Sequence, residues 1–215
     1  MRAVISVDEA MGYLADGMSI MVGGFLGVGA PNALIDAVHG KGVRDITLIL
    51  NDADLPGRGV GKLVASGQVK KAIVSHIGMN PEAGKRMNAG EMEVELIPQG
   101  TMSERMRCAG AGLGGVLTKT GVGTVVAEGK QVIESDGCEY LLEKPLAGDV
   151  ALVKAHIADR AGNLVFRKAA KNFNPLMAMS GRTVIVEAAN LVEVGELDPD
   201  DVMIPGVFVD YIVQA

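Results

Sequence analysis

The feature that most constrains this chain is a glycine-rich loop that follows an apolar run near the N-terminus. The run from Ser19 to Val22 leads into Gly23-Gly24-Phe25-Leu26-Gly27-Val28-Gly29, which holds four glycines in seven residues. Pro31 then precedes an amphipathic segment, residues 32–38, and proline suits the first position of a helix. The pattern predicts a strand, a loop with accessible backbone N–H groups, and a helix whose N-terminus adds partial positive charge. We expect this loop to hold a phosphate, a carboxylate or a reacting acyl oxygen.

Two familiar glycine patterns do not explain this loop. A phosphate-binding P-loop needs Gly-Lys followed by Ser or Thr, and the Gly-Lys pairs that begin at residues 61, 84 and 129 all lack that continuation. Residues 110–115 do match G-x-G-x-x-G, but a helical segment precedes them where the dinucleotide fingerprint needs a strand. We interpret them as a flexible glycine-rich lid.

Composition and charge narrow the class of protein further. The chain has 215 residues, 48% of them hydrophobic, which predicts a single domain over residues 1–215 with a substantial core. A net charge of −6 argues against a nucleic-acid partner. The longest apolar run, residues 20–31, is too short and too rich in glycine to cross a bilayer. Because no secretory signal is visible, we expect a cytoplasmic protein. Cys108 and Cys138 form neither a disulfide framework nor a metal-binding spacing, so no metal site is expected.

Apolar runs and helical segments alternate along the first half of the chain. This alternation predicts an α/β fold with a single open, mixed and largely parallel sheet flanked by helices. The second half adds a predicted hairpin, a short helix and more strands. The predicted strands are residues 20–22, 46–50, 72–75, 94–97, 131–134, 138–142, 150–155, 184–187 and 208–213, and the predicted helices are residues 10–14, 32–38, 60–65, 82–89, 101–107 and 173–179.

The carboxyl ends of the predicted strands carry mostly amide groups. Ligands of such sheets bind beyond these ends, which here hold the glycine loop, Asn51, His76 and Gln99. Amides can stabilise an oxyanion but cannot attack a substrate or remove its proton. His76 and His156 have no accompanying Ser or Cys nucleophile pattern, which favours a structural role for both. The site is either a binding module or part of an enzyme whose nucleophile comes from another chain.

Several motifs taken together resemble the α subunit of family I CoA-transferases. The resemblance runs from Met18 to Val213. The segment at residues 75–84 is most similar to the acetate/butyrate–acetoacetate branch of the family. The motifs are residues 23–31, Asn51, residues 98–105, 110–114, 120–124, 169–175 and 205–210.

The resemblance implies an enzyme that moves CoA between a short-chain acyl-CoA (acetyl-, butyryl- or acetoacetyl-CoA) and a carboxylate. A glutamate in a Ser-Glu-Asn-Gly motif of a β subunit would form a glutamyl-CoA thioester, and that motif is absent from this chain. CoA would be a substrate, with no permanently bound cofactor, and an α2β2 assembly is implied.

The same resemblance implies roles for particular residues. Gln99 would donate a hydrogen bond to the oxyanion, and Asn51 would line the acyl site. Residues 187–190 are less acidic than in relatives, and we expect them to lie on the surface. The residues implied to contact CoA are Gly23, Gly24, Phe25, Leu26, Gly27, Val28 and Gly29.

Two other functions stay open at this point. A stand-alone acyl-CoA or sugar-phosphate binding module, or a sensor, would fit the same type of sheet, although a sensor should carry an output segment and none is seen. A sugar-phosphate isomerase would need a clamp of Lys or Arg in the loops, which are poor in both. The acyl chain length and the preferred donor and acceptor are left undetermined.

Overall fold

The first half of the chain forms strand–helix units in the order that the sequence predicts. A computed structural model describes residues 1–214 of the protein. A short strand and helix, β1 (Ala3–Val4) and α1 (Val7–Met11), precede these units. The four units are β2 (Ser19–Val22) and α2 (Asn32–Lys41), β3 (Ile46–Ile49) and α3 (Gly61–Ala65), β4 (Val69–Val74) and α4 (Pro81–Asn88), and β5 (Glu93–Leu96) and α5 (Gln99–Gly110).

The second half supplies three short strands and then returns to the main sheet. Its elements are β6 (Val116–Thr118), β7 (Val132–Ser135), β8 (Cys138–Glu143), β9 (Gly148–Asp159), β10 (Leu164–Val165), α6 (Asn174–Ser180), β11 (Gly181–Val192) and β12 (Tyr211–Gln214). The strand predicted at residues 208–213 starts later than expected, because residues 206–208 form a 3-10 turn and parallel pairing with β11 begins at Tyr211.

The main sheet has nine strands and is parallel except for one short strand. Its order is β1-β12-β11-β9-β2-β3-β4-β5, and β10 pairs antiparallel with β9. The central strands are buried runs of apolar residues, as expected when helices cover both faces of a parallel sheet. The predicted α/β fold on a mixed, largely parallel sheet with flanking helices is confirmed.

The predicted hairpin does not join this sheet, which corrects the expectation that all strands belong to one. β7 and β8 are joined at Ser135 and Cys138 by a two-residue turn whose residues, Asp136 and Gly137, both have positive φ, as a tight hairpin requires. With β6 they form a separate three-stranded antiparallel sheet. The main sheet ends at β5, whose Glu93 and Glu95 pair with Lys71 of β4. Such charges on an edge strand disfavour the addition of another strand.

The glycines at residues 110–115 lie at the end of a helix, as predicted. Gly110 is the last residue of α5, and a Cβ there would lie 2.6 Å from the Met179 Cβ of α6. Gly110 therefore lets two helices approach closely, and the dinucleotide interpretation is excluded by its position after a helix. That the segment acts as a flexible lid stays a prediction.

None of the helices in residues 1–214 combines the length and the apolar character needed to cross a membrane.

Candidate active site

The glycine loop, Asn51 and Gln99 come together at one edge of the main sheet. They follow β2, β3 and β5, whose parallel pairing through β4 places their carboxyl ends side by side. Gln99 Nε2 donates to Asn51 Oδ1 at 2.6 Å, although the two residues are 48 positions apart. The sequence-based expectation that these strand ends lie close together is met for Asn51 and Gln99.

The tip of the glycine loop is a tight two-residue turn. Phe25 and Val28 exchange two backbone hydrogen bonds of 3.1 and 2.9 Å. Between them, Leu26 and Gly27 have φ of +46° and +78°. A leucine rarely adopts this left-handed conformation, which costs roughly 1–3 kcal/mol unless the surroundings compensate. The Leu26 N–H donates to Asp52 Oδ2 at 3.0 Å, and this bond holds the turn against the segment that follows β3.

Three backbone N–H groups of the loop have no hydrogen-bond acceptor within residues 1–214. Those of Gly23, Phe25, Leu26 and Val28 already donate to acceptors within the chain. The N–H groups of Gly24, Gly27 and Gly29 have no acceptor in the described residues 1–214. Of these three residues Gly24 is buried and Gly27 and Gly29 are half-buried, so N–H groups that are both unpaired and accessible belong to Gly27 and Gly29 and not to the whole run.

Two asparagines beyond the sheet fix the loop from behind. Asn174 Nδ2 donates to the carbonyl of Gly29 at 2.9 Å, and its Oδ1 accepts the N–H of Lys154 at the same distance. Asn172 Nδ2 donates to the carbonyl of Val28 at 2.8 Å. A Cβ on Gly23 would overlap with the buried Asn174 side chain. Glycine is needed at Gly23 because Asn174 occupies the space of a side chain.

The N-terminus of α2 is occupied by a carboxylate of the chain itself, which corrects two expectations. Glu187, on β11, is 2% exposed, and its Oε2 accepts the N–H groups of Ala33 at 2.9 Å and Leu34 at 3.2 Å. Its Oε1 accepts from Lys154 Nζ at 2.9 Å. The expectation that residues 187–190 lie on the surface is thus wrong for Glu187 and for Ala188, which is fully buried. The positive end of α2 is neutralised from within, so an anionic ligand would meet the loop glycines and not this helix end.

Asn51 is the centre of a buried hydrogen-bond network. Its side chain is fully buried, and Nδ2 donates to Asp52 Oδ2 at 2.8 Å. The Ser75 hydroxyl lies 2.7 Å from the Asn51 carbonyl and 3.1 Å from its Oδ1. One hydrogen of the Asn51 Nδ2 group is bonded to Asp52, the second has no acceptor within residues 1–214, and the Asn51 oxygen accepts from Gln99. Its hydrogen bond to Gln99 links the buried network to the surface of the sheet edge.

Gln99 begins helix α5 and carries the exposed donor of the network. The predicted helix began at residue 101, whereas the observed one begins at Gln99, after Pro98. Gln99 is exposed, and the second hydrogen of its Nε2 is not used by Asn51. The backbone N–H groups of Gln99, Gly100 and Thr101 have no acceptor in residues 1–214, as is usual in a first helical turn. These donors can supplement the side chain at the site.

A second carboxylate, Asp54, lies under the turn of the glycine loop. It is 4% exposed, its φ is +54°, and its Oδ1 accepts the N–H of Leu55 at 2.8 Å. Burial raises the pKa of the Asp54 carboxyl, and the charge of Asp52 adds to that effect. The increase is opposed by the Leu55 N–H and by Arg58.

The two histidines singled out in the sequence do not form a nucleophile–base pair. His76 follows β4, is half-buried, and bridges through its backbone to Asp52. His156, on β9, lines a cavity of about 230 Å³ beside Gly27 and Gly29. Across residues 1–214 no hydrogen bond joins either imidazole to a serine or cysteine. Cys108 is fully buried within α5.

Sequence reasoning missed the residues that support the site. They are Asp52, Ser75, Asn174 and Glu187. Asp52 follows Asn51 directly after a strand, and Asn174 lies in the Phe-Asn-Pro phrase, so both were within motifs already noted. The arrangement supplies preorganised N–H donors for a developing negative charge. Its buried carboxylates Asp52 and Glu187 are committed to N–H groups, which leaves them unsuited to attack a substrate.

Comparison with known proteins places this geometry among CoA-transferring enzymes. The family model described as coenzyme A transferase matches residues 4–215. Acetate CoA-transferase subunit alpha of Escherichia coli K12 is 52% identical over 210 residues, which cover 98% of this chain and 96% of that protein. The acetoacetyl-CoA:acetate/butyrate CoA transferase alpha subunit of Clostridium acetobutylicum is 51% identical over 211 residues, which cover 98% of this chain and 97% of that protein.

A solved structure shows the same architecture in a longer chain. The acyl-CoA transferase YdiF of Escherichia coli O157:H7, in a thioester complex with CoA, superposes with a TM-score of 0.90 at 26% sequence identity. The match covers 100% of this chain and 47% of the YdiF chain, so this chain spans about half the length of that protein.

Proposed function

Because the chain belongs to the coenzyme A transferase family, we propose that it works as the α subunit of an enzyme that moves CoA from a short-chain acyl-CoA to a free carboxylate. CoA is then a substrate and not a resident cofactor. The observation that carries this proposal is that Gln99 and the loop glycines Gly24, Gly27 and Gly29, whose N–H groups have no acceptor in residues 1–214, follow strands at one edge of the sheet. N–H donors at such an edge bind an oxyanion but do not form a covalent bond with the substrate.

At this edge, the glycine loop binds CoA and Gln99 stabilises the oxyanion. The loop from Gly23 to Gly29 contacts CoA near its reactive end through its free N–H groups. Phe25, which is 36% exposed, and Val28, which is 50% exposed, add apolar surface at the tip of the loop. Gln99 donates to the tetrahedral oxyanion, and Asn51 lines the acyl site and fixes Gln99. Donors held in place before the reaction stabilise the transition state more than flexible ones.

The covalent steps take place on a glutamate of a β subunit. Its carboxylate oxygen attacks the thioester carbonyl, the C–S bond breaks, and CoA leaves as thiolate from an acyl-glutamyl anhydride. The thiolate attacks the glutamyl carbonyl, which releases the first carboxylate and gives a glutamyl-CoA thioester. A second carboxylate reverses these steps and departs as its own CoA ester. Two observations support a separate chain: the Ser-Glu-Asn-Gly motif is absent from these 215 residues, and two relatives that match over 96% and 97% of their own length are named as alpha subunits.

The proposed acyl groups are acetyl, butyryl and acetoacetyl, because relatives of 52% and 51% identity are named for acetate, butyrate and acetoacetyl-CoA. Other relatives of 50% identity are named for succinyl-CoA and a 3-ketoacid, which makes succinyl-CoA with acetoacetate the second candidate pair. The proposed assembly with the β subunit is α2β2.

Mixing experiments test the proposal. The purified chain, a β subunit that carries the Ser-Glu-Asn-Gly motif, and their mixture are each assayed with acetyl-, butyryl-, acetoacetyl- and succinyl-CoA against acetate and acetoacetate. We expect transfer only from the mixture, with a short monocarboxylic acyl-CoA as the better donor. Transfer by the isolated chain would contradict the proposed division of labour. Tight acyl-CoA binding with no transfer in any mixture would favour the binding module.

A further inference from the structure

We propose that Asp52 is a positioning residue that sets the direction of the donors on both sides of the site. The inference rests on the proposed function, since it assigns Asp52 a task in the same oxyanion-binding edge. Asp52 follows β3, between the glycine loop and the Asn51–Gln99 pair, and only 3% of its surface is exposed. It is the one buried residue that is hydrogen-bonded to both sides within residues 1–214.

The Asp52 carboxylate accepts three N–H groups from three different positions. Oδ2 accepts the backbone N–H of Leu26 at 3.0 Å and the side-chain Nδ2 of Asn51 at 2.8 Å. Oδ1 accepts the backbone N–H of Asp54 at 2.8 Å. An ionised carboxylate accepts hydrogen bonds at both oxygens and donates none, so every neighbour must turn an N–H toward it. Asp52 therefore fixes which end of each neighbouring amide group points toward it.

The orientation of the Asn51 side-chain amide in turn fixes the orientation of the Gln99 amide. Because the Asn51 NH₂ group must face Asp52, its Oδ1 faces the opposite way and can only accept. Gln99 therefore donates to Asn51 Oδ1 with its Nε2, at 2.6 Å. The second hydrogen of that nitrogen is not used by Asn51 and can be donated to a ligand. If Asn51 turned over, its NH₂ would meet Gln99, and Gln99 would present its oxygen instead. The Gln99 NH₂ group would then move to the place that its oxygen now holds, and the donor would be displaced from its position in this structure.

The second task of Asp52 concerns the tip of the glycine loop. Leu26 has φ of +46°, an unfavourable value for leucine, and its N–H is held by Asp52. The free N–H groups of Gly24 and Gly27 lie on either side of this anchored position. Asp52 thus fixes the loop donors and the Gln99 donor relative to each other. A buried negative charge next to an oxyanion site opposes binding in itself, and this positioning gives a physical reason for its presence.

Asp52→Asn in the complete αβ enzyme tests the proposal. Asparagine has nearly the same shape but carries a donor group, so it can present NH₂ to Leu26 and Asn51. We expect kcat to fall about 10–100-fold, the range typical of lost orienting partners, while the KM for acyl-CoA changes much less. Asp36→Asn is the matched control, because Asp36 lies on α2, is half-exposed and pairs only with Lys62. It should leave kcat unchanged.

A double-mutant comparison separates positioning from a merely structural role. In a chain that already carries Gln99→Ala, Asp52→Asn should lower kcat by a clearly smaller factor than in the wild type, because residues that act as a unit are non-additive. If the kcat loss of the double mutant equalled the product of the two single-mutant losses, the proposal would be overturned. A wild-type kcat in Asp52→Asn would overturn it as well.

An NMR measurement on the unmutated chain keeps the proposal testable if Asp52→Asn does not fold. The two side-chain amide protons of Asn51 should exchange with solvent far more slowly than those of the exposed Asn88. Equal exchange rates would show that Asp52 does not hold Asn51, and would overturn the proposal. If the wild-type αβ mixture transfers no CoA, the proposed function fails, whereas this exchange measurement still reports separately on Asp52.

Discussion

The Oε2 atom of Glu187 accepts the N–H of Ala33 at 2.9 Å, although the two residues are 154 positions apart. The contact ties β11 to the first turn of the helix that follows the glycine loop. It also places a buried negative charge at the end of a helix where the backbone is partially positive, which is a favourable position. The loop is thereby held at its C-terminal end by Glu187 and from behind by Asn174.

Replacing Glu187 by alanine should destabilise the chain. The substitution leaves the N–H groups of Ala33 and Leu34 without an acceptor, and a buried donor without a partner costs about 1–3 kcal/mol. We expect the free energy of unfolding, measured by denaturant titration, to fall by that amount. Glu193→Ala is the control, because Glu193 is exposed and pairs with Arg160 at the surface, and its loss should change stability by less than about 1 kcal/mol. Equal effects of the two variants would contradict the capping role.

Gly23→Ala tests the close approach behind the loop. The added methyl group would overlap with Asn174, which donates to Gly29 and accepts from Lys154. We expect a loss of roughly 1–3 kcal/mol in the free energy of unfolding, as for other overpacked sites. Gly84→Ala, in the middle of α4 where a Cβ meets open space, should instead raise stability by about 0.5–1 kcal/mol. Stability unchanged by Gly23→Ala would show that Asn174 does not fill this space.

Acid should weaken the contact between Asp149 and Ser19. The Ser19 hydroxyl, and after it the Ser19 N–H, lower the pKa of Asp149 below its ordinary value of 3.8. A carboxyl with a lowered native pKa stabilises the fold above its unfolded pKa, and this contribution is lost as the pH falls through the native pKa. We expect Ser19→Ala to flatten the pH dependence of unfolding free energy below about pH 4, whereas Ser103→Ala should not. An unchanged slope in Ser19→Ala would refute this assignment.

Asp54 should show the opposite dependence on pH. Burial raises its pKa above 3.8, so the native state holds the proton more tightly than the unfolded chain. Stability is therefore lost as the pH rises from the ordinary value through the raised one. Asp54→Asn removes the charge, tolerates the positive φ of this position and keeps an acceptor for Leu55. We expect its stability relative to wild type to increase with pH across this window and then level off. A constant difference between the two proteins would argue against a raised pKa.

The sequence predicts the strand–helix units and the site edge because the signals are local. Short apolar runs followed by polar helices specify β2 to β5, and parallel strands bring Asn51 and Gln99 to the same edge of the sheet. The separate small sheet was not predictable, because the pattern of residues 131–142 specifies a hairpin but not the sheet that it joins. The pairing of β8 with β6 follows from tertiary packing.

The supporting residues of the site escape prediction for a different reason. Glu187 lies in an apolar stretch, and only the folded sheet shows that it reaches the start of α2. Likewise, the pairing of Asn174 with Gly29 joins residues 145 positions apart. Such contacts depend on the order of strands β2, β9 and β11, which no local pattern in the chain encodes.

Gln99→Ala should lower turnover of the αβ enzyme by about 10²–10³, the usual loss when one oxyanion donor is removed. Assembly with the β subunit should change little, because the Gln99 side chain is exposed and bonded only to Asn51. Turnover and gel-filtration profile are measured together, with Gln131→Ala as the control for an exposed glutamine. Near-normal turnover in Gln99→Ala would remove this residue from the mechanism.

The most direct measurement is to trap the covalent intermediate and find which polypeptide carries it. The αβ mixture is incubated with acyl-CoA and treated with borohydride, which reduces a glutamyl-CoA thioester, and both chains are then analysed by mass spectrometry. Because this chain supplies donors and its partner the nucleophile, the modified glutamate should lie on the β subunit, with this chain unmodified. A CoA adduct or reduced carboxylate on any side chain of this polypeptide would contradict that division.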